Sequence, residues 1–351
     1  MAFFSIENIA IKGIAAAVPK QELSNWDYDF LTEQERKMLI KTIGVEKRRV
    51  VKDTGVTTLD LGKAAAEKLL QETNTTKEDI QILVFVSQTP DYYLPASSII
   101  LQDRLGLSKT CMAFDINLGC SGYVYGLSAI SSLMSISKIK KGLLITGDIS
   151  SQGAPREDKS VYPLFGDAAT ATLIEYEEGH EKTNFSLQSN GAGYEAIIVR
   201  EGGMRKPLTR ESFDIVEKEK GISRAPRNLE LNGMEVFNFS VTEVPKNVDE
   251  FFNLTHTNPE SYDYFVMHQA NLLMNETIRK KLKFPAEKVP YTLSKYGNTS
   301  SASIPLTIVS ELRNKVSAPL SFLLAGFGVG LSWGTVSLKT SNLVCPEIIE
   351  M

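Results

Sequence analysis

Apolar runs rich in Val, Ile and Phe alternate along the chain with amphipathic segments of helix length. In the first half this pattern predicts strands at residues 80–87, 113–117, 142–146 and 169–174, and a helix from about 120 to 134. Such alternation is typical of α/β proteins, in which helices pack against mainly parallel strands.

The second half of the chain repeats this order of elements. Its pattern predicts a strand at 264–267, a helix at 271–283, a short strand before Tyr296, a helix from about Asn298, and a strand pair within 321–338. The repeat aligns the turn at 119–122 with the turn at 297–300, and each turn is expected to open a helix after a strand. Two unrelated α/β domains could produce the same pattern.

We therefore predict an N-terminal half, residues 1–180, and a C-terminal half, residues 181–351. The two aligned helix starts would then face one central site. Residues 185–240 are mixed and charged, and we expect them to form an excursion that covers or shapes a cleft.

Length and charge narrow the class of protein. The chain has 351 residues, 42% of them hydrophobic, and 38 Lys and Arg against 42 Asp and Glu give a net charge of −4. This composition supports a sizeable core and provides no global field for nucleic acid or an anionic membrane. No apolar stretch reaches the ~18 residues of a membrane span, and the first residues lack the cationic start of a secretory signal, so we expect a cytoplasmic protein.

Three cysteines, at positions 111, 120 and 345, form no CxxC pair, and their odd number argues against a disulfide framework. Cys120 lies between Gly119 and the small residues Ser121 and Gly122, where an apolar helix is predicted to begin. A thiol there meets the positive end of the helix, which favours the thiolate of a nucleophile. A buried structural cysteine is the alternative, and it is how we interpret Cys111 and Cys345.

The sequence contains only three histidines. His180 and His256 lie in polar segments typical of solvated loops, whereas His268 follows the predicted strand at 264–267. Open α/β sheets bind ligands at the carboxyl ends of their strands, so His268 is a candidate site residue. A histidine satisfied by local hydrogen bonds is the alternative.

Asn298 lies among glycine and small hydroxyl residues, a composition that lets backbone and ligand approach closely. It could equally be a helix N-cap, for which asparagine is a preferred residue. Residues 326–334 carry four glycines, and main-chain N–H groups in such a run could stabilise an oxyanion. Ligand-free hairpins rich in glycine are also common.

Six segments occur along the chain in the order 41–48 (KTIGVEKR), 115–122 (DINLGCSG), 165–169 (FGDAA), 232–237 (NGMEVF), 268–271 (HQAN) and 297–305 (GNTSSASIP). Together they resemble the β-ketoacyl-acyl carrier protein synthase III family of thiolase-fold condensing enzymes, over nearly the whole chain. The resemblance implies a thiolase-like α/β fold of two pseudo-repeated halves with five-stranded sheets, in an αβαβα layered arrangement. It also implies a homodimer.

The resemblance further implies a two-step reaction. Cys120 would take an acyl group from a coenzyme A thioester, with the backbone N–H groups of Cys120 and Val329 stabilising the oxyanion. His268 and Asn298 would then hold the thioester carbonyl of malonyl-acyl carrier protein while carbon dioxide leaves, and the carbanion would attack the acyl-cysteine. Coenzyme A thioester is a substrate here, and the resemblance implies neither a metal nor a tightly bound cofactor.

Further positions are carried over from the resemblance one residue at a time. Lys159 would face the coenzyme A nucleotide, Phe237 and Asn271 would line the pantetheine tunnel, and Leu94 would help to gate the acyl pocket across the dimer. The basic helix end at Arg279, Lys280 and Lys281 could meet an acidic carrier protein. A solvated helix face is the alternative for that cluster.

The chain also departs from the family pattern. Met38 stands where the family has an aromatic ring that stacks on adenine, and Thr42 stands where it has a nearby arginine. Met234 replaces a polar contact to the cofactor, and Leu273 replaces an arginine that docks the carrier protein. Val329 replaces the middle glycine of the last turn, which keeps the N–H but adds a side chain beside the acyl pocket. Loss of a stacking ring and a guanidinium is expected to weaken conventional coenzyme A recognition.

Three hypotheses follow for the function. The leading one is an enzyme that starts acyl chains by condensing a short acyl thioester with malonyl-acyl carrier protein. The second is a specialised relative that handles an unusual acyl group in a secondary pathway. The third is a silent partner subunit, which the retention of Cys120, His268 and Asn298 argues against. A redox or metal site at a cysteine is weaker still, because no second ligand lies at a suitable spacing.

Overall fold

Two β-sheets lie between layers of helices in the computed structural model, which describes residues 2–52 and 55–351. The helices of these residues are α1 Glu33–Ile43, α2 Thr58–Glu72, α3 Ser97–Leu105, α4 Gly122–Ser137, α5 Gly233–Thr255, α6 Leu272–Lys281, α7 Leu293–Tyr296 and α8 Ser303–Leu312. None of them is both long and apolar enough to cross a membrane.

The strands are β1 Ala2–Ile6, β2 Ile9–Val18, β3 Glu22–Ser24, β4 Lys47–Arg49, β5 Ile82–Val86, β6 Met112–Ile116, β7 Lys141–Asp148, β8 Ala168–Tyr176, β9 Thr183–Ser189, β10 Ile197–Ile198, β11 Val216–Glu219, β12 Ile222–Arg224, β13 Glu230–Leu231, β14 Tyr264–Met267, β15 Leu320–Gly328, β16 Ser332–Thr340 and β17 Ile349–Glu350. Three short pairs, β3 with β4, β10 with β13 and β11 with β12, stand apart from the two large sheets.

The first large sheet has the order β17-β2-β8-β7-β5-β6. Strand β5 runs parallel to both β6 and β7, while β8 is antiparallel to its neighbours β7 and β2. The second large sheet has the order β1-β9-β16-β15-β14, with β14 and β15 parallel and the remaining pairs antiparallel. The carboxyl ends of β6 and β14 therefore present the segments of Cys120 and His268.

Helices α4 and α8 form the layer between the two sheets. Their buried apolar side chains, among them Val124 and Ile308, belong to one core with Val84 of the first sheet and Val266 of the second. Both helices are apolar on most faces, as expected of helices enclosed on two sides. Since burying one such side chain contributes about 1.5–3 kcal/mol, this layer holds the two halves together strongly.

The outer layers complete the predicted αβαβα arrangement. Helices α2 and α3 cover the first sheet, where Leu59 and Leu101 pack against Leu83 and Leu143. Helices α5 and α6 cover the second sheet, where Phe251 and Ile278 pack with Phe265. The strand predictions in these sheets hold to within a few residues at each end, and the prediction for β14 holds at both ends.

The chain termini cross between the sheets. Strand β1 pairs with β9 of the second sheet, and β17 adds a sixth strand of two residues to the first, where five were expected. The division of the chain near residue 180 stays a prediction. The second sheet contains β1 from the N-terminus, and the first sheet contains β17 from the C-terminus.

Several elements were not predicted or were predicted wrongly. Strand β2 is rich in alanine, which has a low strand propensity, and α5 begins within the segment that was expected to be an excursion. The short strand expected before Tyr296 is wrong, because α7 occupies that position. Pro290 has no N–H to donate there, and the N–H of Thr292 bonds to Oε1 of Gln269 at 3.0 Å instead of to a strand.

Candidate active site

A cavity of about 500 Å³ opens where the two halves meet. Cys120, His268 and Asn298 all line it, and so do Asn271 and Val329. These residues come from the ends of different elements, and the interleaved packing of the two halves brings them together. The structure thus places the three predicted catalytic residues at one site.

Cys120 is buried in the turn between β6 and α4. Its own backbone N–H and that of Val329 hydrogen-bond to the sulfur, which favours the thiolate, but burial and the Asp148 carboxylate raise the pKa of the thiol to about 11. Burial of the charged sulfur therefore acts against the preference for the thiolate that the helix start and these donors provide.

Gly328 is required by the close approach of β15 to the nucleophile. A Cβ added there would lie 2.5 Å from Cβ of Cys120 and 2.9 Å from Sγ. Only a residue without a side chain leaves room for the thiol at this point. The glycine-rich run thus positions the N–H of Val329 against the sulfur, and Val329 is one of the residues that line the cavity.

His268 follows β14 and is buried. Its Nδ1 lies 2.8 Å from Oγ of Ser303, at the start of α8. Burial lowers the pKa of the imidazole to about 3, although the nearby Ser300 carbonyl favours the protonated form. The ring is therefore neutral at physiological pH and carries a single N–H.

Asn298 is held in a loop between α7 and α8. Its backbone N–H donates to the Leu164 carbonyl at 2.9 Å, and its side-chain Oδ1 accepts from the N–H of Ser300 at 2.9 Å. The amide oxygen is thus occupied and the NH₂ group is left for a ligand. The helix expected to open at Asn298 instead starts with a 3-10 turn at Ser300–Ala302, and α8 begins at Ser303.

Two further residues of the site were not singled out from the sequence. Asp148 ends β7 and accepts hydrogen bonds from the N–H of Gln88 at 2.7 Å and from Oγ of Ser301 at 3.0 Å. Ser300 lines the cavity with a left-handed backbone, φ of 51°, and its N–H donates to Oδ1 of Asn298 at 2.9 Å. His268 was selected because α/β sheets bind ligands at the carboxyl ends of their strands, and the same reasoning applies to Asp148 at the end of β7.

The segment 185–240 contributes one wall of the cavity, as expected of an excursion that shapes a cleft. Ile197, Ile198 and Val199 line this wall together with Leu229 and Leu231. These side chains lie on and beside the two-stranded pair β10 and β13. The wall is apolar and suits an acyl chain or another uncharged ligand segment.

Of the residues predicted to contact coenzyme A, one lines the cavity and two do not. Asn271 lines the cavity and caps α6, because its Oδ1 accepts from the N–H of Met274 at 2.9 Å. Phe237 packs against the core of the second sheet, and the same helix lines the cavity with Val236 and Ser240 instead. Lys159 lies outside the cavity lining, and its Nζ donates to the Lys220 carbonyl at 2.8 Å.

Three of the departures from the family pattern, at positions 38, 42 and 234, lie at the surface. Met38 is 63% exposed on α1, and the exposed Thr42 one turn later donates its hydroxyl to the Met38 carbonyl at 2.8 Å. Met234 is 77% exposed at the start of α5 and lines a second, open depression. None of the three lines the cavity that contains Cys120.

The residues predicted to dock the carrier protein and to gate the acyl pocket differ in how exposed their side chains are and in whether they bond within the protein. Arg279 forms two 2.8 Å bonds to Glu276, and Nζ of Lys281 donates to a backbone carbonyl at 2.7 Å, so both side chains are engaged internally. Lys280 has 70% of its side chain accessible, and its Nζ lies 3.8 Å from Oε2 of Glu276. Leu94 is 81% exposed and lies outside the cavity of the single chain.

Comparison with known proteins assigns the family. The model of 3-oxoacyl-[acyl-carrier-protein] synthase III matches residues 114–191, and the model of its C-terminal part matches residues 253–340. A putative 3-oxoacyl-[acyl-carrier-protein] synthase 3 from Campylobacter jejuni is 33% identical over 97% of this chain and 96% of its own length. The β-ketoacyl-[acyl-carrier-protein] synthase III of Bacillus pumilus is 30% identical over 95% and 99%.

Solved structures agree with this assignment. The crystal structure of a 3-oxoacyl-(acyl-carrier protein) synthase from Burkholderia xenovorans is 36% identical, with a TM-score of 0.93, and covers 100% of this chain and 99% of its own. Similarity of this extent confirms the expected thiolase-like α/β fold. The first matched segment contains Cys120 and the second contains His268 and Asn298, and the chain belongs to the 3-oxoacyl-acyl carrier protein synthase III family.

Proposed function

We propose that the protein is an acyltransferase that condenses an acyl thioester with malonyl-acyl carrier protein to a 3-oxoacyl product, through an acyl-cysteine intermediate. The observation that carries this proposal is the meeting of Cys120, His268 and Asn298 in one cavity. A thiol is suited to acyl transfer, and two neutral donors are suited to an enolate. A silent partner subunit has no chemical need for this arrangement.

In the first half-reaction Cys120 attacks the thioester carbonyl and expels the coenzyme A thiol. The N–H groups of Cys120 and Val329, which converge on the sulfur, are placed to donate to the oxygen that becomes negative in the tetrahedral intermediate. Each is a backbone donor held by a rigid element, so it needs little reorganisation during the reaction. The apolar wall formed by Ile197 to Val199 would receive the acyl chain.

In the second half-reaction His268 and Asn298 bind the thioester oxygen of the malonyl group. The NH₂ of Asn298 donates to this oxygen, and a neutral His268 donates from Nε2 when Ser303 donates to its Nδ1. The bond to carbon dioxide breaks, its electron pair forms the enolate, and the enolate carbon attacks the acyl-cysteine. The Cys120 sulfur then leaves as the thiolate and regains a proton.

The donor of the acyl group is a coenzyme A thioester, and the protein carries no tightly bound cofactor. Lys159 and Asn271 are proposed to contact its nucleotide and pantetheine portions, with Phe237 behind the tunnel wall. The exposed Met38 and Met234 favour a second candidate, a specialised relative with an unusual donor, because methionine replaces ring and polar contacts there. Carrier-bound acyl groups belong in the donor panel for this reason.

The protein is further proposed to work in the cytoplasm as a homodimer. All three cysteines are free, as a reducing compartment requires. Tyr92, Tyr93 and Leu94 are exposed in the single chain, and Tyr93 donates to the Gly202 carbonyl beside the exposed Leu208. We call these four apolar residues, 92, 93, 94 and 208, the Leu94 patch, and propose that a second copy of the chain covers it.

The first half-reaction is tested by intact-mass analysis after incubation with acetyl-, butyryl- and octanoyl-coenzyme A and with the same acyl groups on carrier protein. Wild type is expected to gain one acyl mass, and Cys120→Ala none. Absence of an adduct with every donor would favour the silent-subunit hypothesis. An adduct that persists in Cys120→Ala would remove Cys120 as the nucleophile.

The second half-reaction is tested by carbon dioxide release from malonyl-carrier protein. His268→Ala and Asn298→Ala are expected to be acylated as wild type is, but to lose about 10²-fold or more in decarboxylation, since one oxyanion donor contributes about that factor. Wild-type carbon dioxide release by both variants would contradict the roles assigned to these residues.

A further inference from the structure

Three neighbouring strands of the first sheet lead into polar residues at the cavity. Strands β6 and β7 lie on either side of β5 and run parallel to it, so the carboxyl ends of the three strands share one edge. Gln88 follows β5, Asn117 follows β6 and Ser150 follows β7, and all three residues line the cavity. Sheets of this kind bind ligands at such an edge. We call residues 88, 117 and 150 the polar rim.

The side chains of the polar rim are available for a ligand. Within the part of the chain that the structure describes, none of the three makes a side-chain hydrogen bond. Thr89 also lines the cavity, but its hydroxyl bonds to Thr58 at 2.7 Å and accepts from the N–H of Ile149 at 3.0 Å. Two amides and one hydroxyl therefore remain, and each of them can both donate and accept a hydrogen bond.

Gln88 is held beside the nucleophile. Its backbone N–H donates to the Asp148 carboxylate at 2.7 Å, which anchors the residue at the end of β5. A Cβ added at Gly119 would overlap Oε1 of Gln88 and lie 2.8 Å from Cγ1 of Val329. Since only glycine leaves this space open, the Gln88 amide borders the turn that carries Cys120.

The charges around the cavity favour a neutral partner for the polar rim. Among the described residues that line the cavity there is no lysine or arginine, and Asp148 is the one carboxylate. An acyl group with a second carboxylate would meet no cation there and would lose its hydration. A hydroxyl is a small neutral group that amides and a serine can pair with, and the apolar wall at 197–199 suits the remaining carbons.

We propose that the polar rim selects a short acyl group that carries a hydroxyl on its chain, with Gln88, Asn117 and Ser150 as hydrogen-bond partners of that hydroxyl. The inference rests on the proposed function, since it names the acyl group that Cys120 accepts. A plain alkyl group would exclude water from these side chains without replacing its hydrogen bonds, and a site of this kind discriminates strongly. A hydroxyacyl thioester would be the unusual donor that the second candidate function requires.

The test compares acyl groups that differ only in a hydroxyl: butyryl, 3-hydroxybutyryl and 4-hydroxybutyryl, each as the coenzyme A thioester and on carrier protein. Intact-mass analysis gives the second-order rate constant for transfer to Cys120. Wild type is expected to accept a hydroxylated group about 10-fold or more faster than butyryl. Gln88→Met and Asn117→Leu remove an amide at similar size, and each is expected to reduce this preference about 3- to 10-fold, since one neutral hydrogen bond contributes about that factor.

Gln71→Met is the matched control, because Gln71 is an exposed glutamine near the end of α2 that lies outside the cavity lining. It is expected to keep the wild-type preference. Equal rates for all three acyl groups in wild type, or a preference that persists in both amide variants, would overturn the inference. Light scattering gives the mass of each variant. A preference lost together with the wild-type mass would also overturn the inference, because the amides would then serve contacts between copies.

Binding to Cys120→Ala separates this inference from the proposed function. Isothermal titration calorimetry with the three coenzyme A thioesters measures their affinities without acyl transfer to that residue. Wild type that accepts no acyl group, with tighter binding of a hydroxybutyryl thioester to Cys120→Ala, supports the polar rim and contradicts the proposed function. Wild type that is acylated equally fast by all three groups supports the proposed function and contradicts the inference. Neither acylation nor a binding preference contradicts both.

Discussion

His268 is kept neutral in the folded protein by its position between the two sheets. Burial lowers its pKa from 6.5 to about 3, so between these values the unfolded chain binds a proton that the folded protein excludes. The stability contribution of the neutral ring is present above pH 6.5 and is lost as the pH falls. The same burial that makes His268 a neutral donor therefore makes the fold sensitive to acid.

We expect the difference in unfolding free energy between wild type and His268→Gln to fall by about 2 kcal/mol from pH 7 to pH 5, since each pH unit below 6.5 costs about 1.4 kcal/mol. Urea denaturation across this range measures it. Buried Asp167, with its pKa raised to about 6, acts in the opposite direction but is present in both proteins and cancels. Parallel stability curves would show that the imidazole is not held neutral.

At the scale of elements, α6 connects the cavity to the surface. Asn271 caps its first turn at the cavity, and Lys280 lies nine residues later, about 13 Å along the axis at 1.5 Å per residue. Arg279 and Lys281 are held by short hydrogen bonds within the protein, whereas Lys280 makes a longer 3.8 Å ion pair with Glu276 and keeps 70% of its side chain exposed. A carrier protein bound there would lie within reach of the cavity entrance.

Lys280→Glu is therefore expected to raise the KM for malonyl-acyl carrier protein by about 3- to 10-fold at low salt and to leave acylation by coenzyme A thioesters unchanged, because an exposed ion pair contributes modestly. Steady-state kinetics with the carrier substrate measures it. The control is Lys339→Glu, a 56% exposed lysine near the end of β16 that lies away from the cavity. Equal effects of the two charge reversals would argue against docking on α6.

At the scale of the whole molecule, the Leu94 patch places apolar side chains at the surface of the single chain. Leu94→Asp is expected to convert a dimer into a monomer, because it buries a charge without a partner in the proposed interface. Light scattering coupled to gel filtration gives the mass. Ile136→Asp is the control, since Ile136 is 86% exposed on α4 outside the patch. Wild type that runs as a monomer would contradict the proposed assembly.

The sequence alone predicts the features that depend on neighbouring residues, and it predicts poorly those that depend on residues far apart in the chain. The α/β class, the strand β14 and the candidates Cys120, His268 and Asn298 come from local patterns: apolar periodicity, glycine beside a thiol, and polar residues after strands. The αβαβα layering was an implication of the family resemblance. Such patterns are readable because neighbouring residues dictate them. Strand β2 was not predicted because alanine has a low strand propensity. Its position in the sheet comes from pairing with β8, more than 150 residues later in the chain.

Only the tertiary structure decides what surrounds these residues. Asp148 and Ser301 lie in different halves of the sequence, and the 3.0 Å hydrogen bond from Oγ of Ser301 to the Asp148 carboxylate depends on how α4 and α8 pack between the sheets. The sequence placed Cys120 at a helix start and suggested a thiolate. Burial raises the pKa of this thiol, and desolvation of that kind depends on the whole fold and not on the adjacent residues.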